Sequence, residues 1–132
     1  NDDGNLEVAP GDRLAGIPRH SLKAGIAVRL TSSWNLAIET LVSSSRVFLG
    51  DEGNDQLPVE GYQLANFRSA YQVTETVELF MRLDNLFNTK YETFGALAEL
   101  ELNLAEVPNA TDPRFVAPGA PRSGFAGIEI RF

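Results

Sequence analysis

The chain has 132 residues, a formal net charge of -7 and no cysteine, a length that suits one ordinary domain. The acidic balance argues against nucleic-acid binding and against attachment to anionic lipid through basic residues, and the absence of cysteine removes any disulfide framework or thiolate site. No apolar run approaches the roughly 18 residues of a transmembrane helix, but a membrane-spanning strand needs only about 9–11 residues with alternate positions apolar.

Asn1 to Arg19 is polar and carries Gly4, Pro10, Gly11, Gly16 and Pro18, a loop composition. The chain begins Asn1-Asp2-Asp3, with neither methionine nor a secretory signal, and is expected to be processed or cut from something longer. From His20 the pattern turns to period two. Leu22, Ala24, Ile26, Val28 and Leu30 share one face, with Lys23, Gly25, Ala27 and Arg29 on the other, which predicts a strand with one apolar side. Thr31-Ser32-Ser33 forms a turn, and a second strand follows. Trp34, Leu36, Ile38, Thr40 and Val42 alternate with Asn35, Ala37, Glu39, Leu41 and Ser43, continuing toward Phe48.

Gly50 to Gly61 reads as an acidic loop. Its Asp51, Glu52, Asn54 and Asp55 suit Ca²⁺ by atom type, but their spacing is not that of an EF-hand, and loop solubility is the better account. A third strand runs from about Tyr62 to Val73 with Ala65, Phe67, Ser69, Tyr71 and Val73 on one face. Thr74-Glu75-Thr76 turns into a fourth, where Val77, Leu79, Met81 and Leu83 alternate with Glu78, Phe80, Arg82 and Asp84. Thr93 to Arg122 has no clear strand pattern and is interrupted by four prolines; the spacing of Leu97, Leu100 and Leu104 predicts a short helix within Ala96 to Val107. A fifth strand runs from Ser123 to the end, with Ala126, Ile128, Ile130 and Phe132 on one face and Phe125, Gly127, Glu129 and Arg131 on the other.

Two hairpins share a rhythm, Leu30 to Ile38 and Val73 to Met81. Pairing Leu30 with Trp34 and Val73 with Val77 keeps the apolar residues on one face, so one register serves both. Connections alternate long, short, long, short, long, as in outer-membrane barrels. Alternation alone fits half of a soluble β-sandwich equally well, because period two says only that one face is buried. A stand-alone soluble β-domain acting in binding or scaffolding is therefore the alternative reading. His20 is the only histidine, no Gly-x-Ser-x-Gly elbow or phosphate-binding glycine loop is present, and no catalytic residue, metal ligand set or cofactor is expected.

Three segments resemble the C-terminal part of TonB-dependent outer-membrane receptors. Leu79 to Tyr91, with Asn85-Leu86-Phe87 followed by Tyr91, is similar to that family's penultimate strand. Pro118-Gly119-Ala120-Pro121-Arg122 is similar to the entry of its last strand, with Ala120 and Pro121 inserted. The terminal strand ends on Phe132, with Ile128 and Ile130 alternating before it, as does the family's C-terminal assembly signal. The resemblance implies an all-β fold, an antiparallel β-meander of about five strands belonging to a transmembrane barrel of about 22 strands. Residues 1–132 would then be the C-terminal part of the barrel, with the plug domain absent.

It further implies a bacterial outer-membrane location and a parent receptor that takes up a scarce ligand such as an iron–siderophore complex; the fragment alone would transport nothing. The implied partners are outer-membrane lipid, the plug domain, the barrel-assembly machinery and, through the plug, the energy-coupling TonB complex. Lys23, Arg29, Glu39, Arg68, Glu78, Arg82, Asp84, Glu129 and Arg131 would line the wet interior. Thr31–Ser33 and Thr74–Thr76 would face the periplasm and the long loops the outside. No ligand-binding residue is carried over, because the outward loops vary. An isolated open sheet is expected to self-associate through its edges or its apolar face.

Overall fold

The structure, a computed structural model, describes residues 8–98 and 112–132. These divide into two compact units, one drawn from residues 21–43, 62–90 and 120–132, the other from residues 8–20, 44–61, 91–98 and 112–119.

The first unit is an antiparallel sheet of five strands in the order β1-β2-β3-β4-β7: β1 Ser21–Thr31, β2 Trp34–Ser43, β3 Tyr62–Gln72, β4 Val77–Asp84 and β7 Ser123–Ile130. Neighbours in this order pair antiparallel throughout. One row of partners crosses all five strands: Val28, Leu36, Ser69, Met81 and Ala126. The next row in one direction is Ile26, Ile38, Phe67, Leu83 and Gly124. The apolar positions of every strand therefore share one face, as the alternation requires.

The hairpins close by two different routes. Val73 N–H donates to Val77 C=O (2.9 Å), keeping the predicted pairing. In the first hairpin the register shifts between Arg29 and Thr31, so Trp34 pairs with Thr31 and not with Leu30. Leu30 becomes the extra residue of a bulge, which shortens the connection to Ser32-Ser33 without moving any upstream side chain to the wrong face.

The second unit holds the buried apolar side chains among the described residues, Val47, Phe48 and Val59. Strand β2 stops at Ser43, short of the expected extension toward Phe48. Ser44 N–H donates to His20 C=O (2.9 Å), Arg46 bridges to Val59 and Val47 bridges to Ala15, so residues 44–48 serve this small core. The stretch expected to lack strands contains a hairpin, β5 Glu92–Leu97 paired with β6 Arg114–Pro118. The prolines that mask it in the sequence lie at its margins: Pro113 precedes β6 and Pro118 ends it, where a missing N–H costs little. Ala96 and Leu97, assigned to a helix by leucine spacing, are in β5. The rest of that expected helix, to Val107, falls largely outside the described residues.

Candidate lipid-facing sheet and strand corner

The five-stranded sheet exposes its apolar face. Ile26 is 72% exposed, Ile38 53% and Ile128 63%, and Leu22, Val28, Leu79 and Ile130 are also open to solvent. Side chains of this kind form a contiguous patch because strand pairing places them in rows, and a patch of that extent marks a contact surface. Trp34 and Tyr71 stand on the same face beside the first short turn. The opposite face pairs charges: Lys23 with Glu39 (3.2 Å) and Arg82 with Asp84 (2.8 Å). Arg131, just past β7, pairs with Glu129 (2.8 Å). On that face Arg68 lies directly opposite Arg82, a like-charge neighbour that dry surroundings would penalise and water screens. One face is thus apolar and exposed, and the other carries the charges.

The four motif residues have separate roles. Asn85 is buried at the end of β4, with φ of 50°, the left-handed region that asparagine tolerates better than most residues. Its backbone N–H donates to Asn66 Oδ1 (3.0 Å), and its Oδ1 accepts from Thr89 N–H (2.8 Å). Its Nδ2 donates to the carbonyls of Thr89 (2.9 Å) and Ala120 (3.1 Å). Every polar atom of that side chain is used within the fold. Leu86 N–H donates to Ala65 C=O (2.8 Å), extending the β3–β4 seam by one bond, while Phe87 is 77% exposed. Asn88, also left-handed at φ 54°, accepts from Arg122 N–H (3.0 Å). The sequence motif did not include Asn88, Asn66 or Ala120; two asparagines three apart in a short connection were the available signal, since asparagine both adopts αL and bonds nearby backbone.

In the second unit, Tyr91 lies over Gly119. A Cβ on Gly119 would come 2.1 Å from Tyr91 Cζ, and Gly119 N–H donates to Tyr91 C=O (2.7 Å). The glycine of the Pro118-Gly119 segment is there to admit the tyrosine ring. The acidic loop is also used internally: buried Asp51 accepts from the N–H groups of Asp55 (2.9 Å) and Gln56 (3.1 Å), and Asn54 bonds both backbone groups of Arg13. Among the described residues no group of three or more acidic, histidine or cysteine side chains forms a metal-binding cluster. Ile128, Ile130 and Phe132 are exposed along β7 and just past it; they do not join the Asn85 corner.

No family model and no curated protein matches the chain. Among solved structures, the ferric-catecholate import receptor Fiu from E. coli K12, in its open form, is similar with a TM-score of 0.64 and 19% identity, over 87% of this chain and 16% of that one. The copper transporter OprC is similar with a TM-score of 0.65 and 19% identity, over 92% of this chain and 18% of that one. The chain therefore spans less than a fifth of either protein. At this identity the likeness concerns the fold, and the fold is that of a stretch of β-barrel wall from TonB-dependent receptors.

Proposed function

We propose that the chain forms the C-terminal part of the barrel of a TonB-dependent outer-membrane receptor, a protein that imports a scarce ligand such as an iron–siderophore complex. The observation that carries this reading is the five-stranded sheet whose pairing places an exposed apolar face on one side and charged residues on the other. In water that apolar face is a liability; against hydrocarbon it is the covered side of a barrel wall. The open edges at β1 and β7 favour continuation into further strands, because an unpaired row of backbone groups is not tolerated in lipid. Fiu is a ferric-catecholate import receptor and OprC a copper transporter, which supports a metal species as the ligand. A stand-alone soluble binding domain is the weaker reading, since it leaves Ile26, Ile38 and Ile128 in water.

On this reading lipid surrounds the apolar face, a plug domain meets the charged face, and a TonB-type complex supplies energy through that plug. The chain by itself transports nothing and catalyses nothing. The test is surface topology in the full gene product. The chain holds no cysteine, so with every cysteine elsewhere in the gene product replaced, single cysteines at Gln56 and Glu75 report unambiguously. A membrane-impermeant maleimide on intact cells is expected to label position 56, and to reach position 75 only after the outer membrane is opened. Recovery of both labelled proteins in the soluble fraction would refute the membrane assignment. Loss of ferric-siderophore uptake on deleting the gene tests the ligand separately.

A further inference from the structure

Slips of two residues keep every side chain of a strand on its own face, so the alternation that sets the faces of this sheet does not set the register of β7 on β4. Four local contacts remove that freedom. At the entry to β7, Asn88 Oδ1 accepts from Arg122 N–H (3.0 Å) and Asn85 Nδ2 donates to Ala120 C=O (3.1 Å). Within the strand, Gly127 lies opposite Phe80 and Gly124 opposite Leu83. A Cβ on Gly127 would sit 2.6 Å from Phe80 Cζ, and one on Gly124 2.5 Å from Leu83 Cδ2. The two notches open on opposite faces, since Phe80 and Leu83 are an odd number of residues apart. The space over Gly127 is also where the Phe80 ring turns edge-on to Phe125, with centroids 5.9 Å apart.

A slip of two in one direction brings Glu129 opposite Phe80 and Ala126 opposite Leu83; the other brings Phe125 and Arg122 there. Each alternative drives a Cβ into both notches and breaks both asparagine bonds. We infer that Asn85 and Asn88, together with Gly124 and Gly127, form a register lock for the last strand. The lock sets where the outer edge of β7 and Phe132 stand relative to β4. It acts through backbone bonds and side-chain volume, and holds whatever covers the apolar face.

Disulfide trapping in the full gene product, in isolated membranes, tests this. Arg131 N–H donates to Thr76 C=O (2.8 Å), so Leu79 and Ile128, three pairs further along, form a non-hydrogen-bonded pair whose side chains lie close. Cysteines at Leu79 and Ile128 report the native register; cysteines at Leu79 with Ile130, or with Ala126, report the two slips. Asn88→Gly keeps the left-handed backbone and deletes the acceptor, and Phe80→Ala fills no notch. With both changes, the ratio of slipped to native cross-link is expected to rise roughly tenfold, the scale of one lost hydrogen bond and a relieved clash. Asn88→Asp, which retains the acceptor oxygen, is expected to keep the native ratio. An unchanged ratio in the combined variant overturns the lock. Should that variant not reach the membrane, the same ratio read on Asn88→Gly alone decides, and a value equal to the unsubstituted protein's again overturns it.

Discussion

Trp34 meets Tyr71 edge to face across β2 and β3, with ring centroids 6.3 Å apart and ring planes at 89°. This is the favoured geometry for aromatic quadrupoles, and the indole Nε1 donates to Ser69 Oγ (3.0 Å), so the polar end of the indole is satisfied without water. Both rings stand on the apolar face beside the short turn at Ser32-Ser33. A tryptophan with an apolar body and a tethered polar end belongs at the boundary between hydrocarbon and headgroups.

Trp34 is the chain's single tryptophan, which makes its fluorescence a depth gauge within this segment. In the full gene product with every other tryptophan replaced, lipids brominated near the headgroup are expected to quench it more strongly than lipids brominated at the chain ends. The opposite order would place Trp34 deep in the bilayer, and no quenching by either would remove it from lipid altogether.

The two faces of β2 differ in what they tolerate. Ile38 stands near the middle of the strand, between Ile26 and Phe67, on the apolar side; Ala37, its neighbour in sequence, points to the side of Arg68. Ile38→Lys is expected to cost about 2–4 kcal/mol, the penalty for a lysine near the bilayer midplane. Ala37→Lys is expected to leave stability within about 0.5 kcal/mol, as a surface change does. Denaturant unfolding of the full gene product in lipid measures both, and equal costs would contradict the division of faces.

The faces and the five strands of the sheet were legible because one side chain in two must be apolar, and Leu22 to Leu30 or Val77 to Leu83 hold to that rule. The hairpin of β5 and β6 was not. Glu92–Leu97 and Arg114–Pro118 are short, and Phe94 and Phe115 are about half exposed, so neither strand carries an alternating signature. Leucine spacing at Leu97, Leu100 and Leu104 then suggested a helix instead. The early end of β2 was equally hidden. Val47 and Phe48 are apolar and continue the run, yet they serve a second small core whose partners, Val59 and Ala15, come from distant segments. At the motif, the sequence singled out Asn85, but of its partners only Thr89 is local; Asn66 and Ala120 come from two distant segments, and no local pattern encodes them.

Asp112 and Arg114 form a two-pronged pair at the start of β6, with Arg114 Nε on Asp112 Oδ1 (2.9 Å) and an Arg114 terminal nitrogen on Oδ2 (2.7 Å). The Arg114 side chain first, and its backbone N–H second, lower the Asp112 carboxyl from 3.8 to about 2. The folded-state value lies below the unfolded one, so the pair's contribution is fully present above about 3.8 and is lost as pH falls through about 2. Both groups are exposed, so the effect on stability is small. Arg114→Ala is expected to return the Asp112 titration to the ordinary carboxylate range, read by carboxyl chemical shift. A midpoint still near 2 in that variant would show that Arg114 is not the cause.

Phe132 lies beyond the last residue of β7 and is fully exposed. The sheet bond nearest to it, from Arg131 N–H to Thr76 C=O (2.8 Å), uses no atom of Phe132. Deleting Phe132 therefore removes no ladder hydrogen bond and no buried contact among the described residues, so the assembled protein is expected to keep its unfolding midpoint and its ligand affinity. If Phe132 ends the full gene product and is read during insertion, as the resemblance of this strand to the family's C-terminal assembly signal implies, the same deletion is expected to lower the amount assembled in the outer membrane several-fold, with Phe132→Tyr restoring it. Quantifying folded protein in outer-membrane fractions beside its denaturation midpoint separates the two effects. A fall in the midpoint with normal assembly would make Phe132 a packing residue; unchanged assembly and midpoint would end the signal reading.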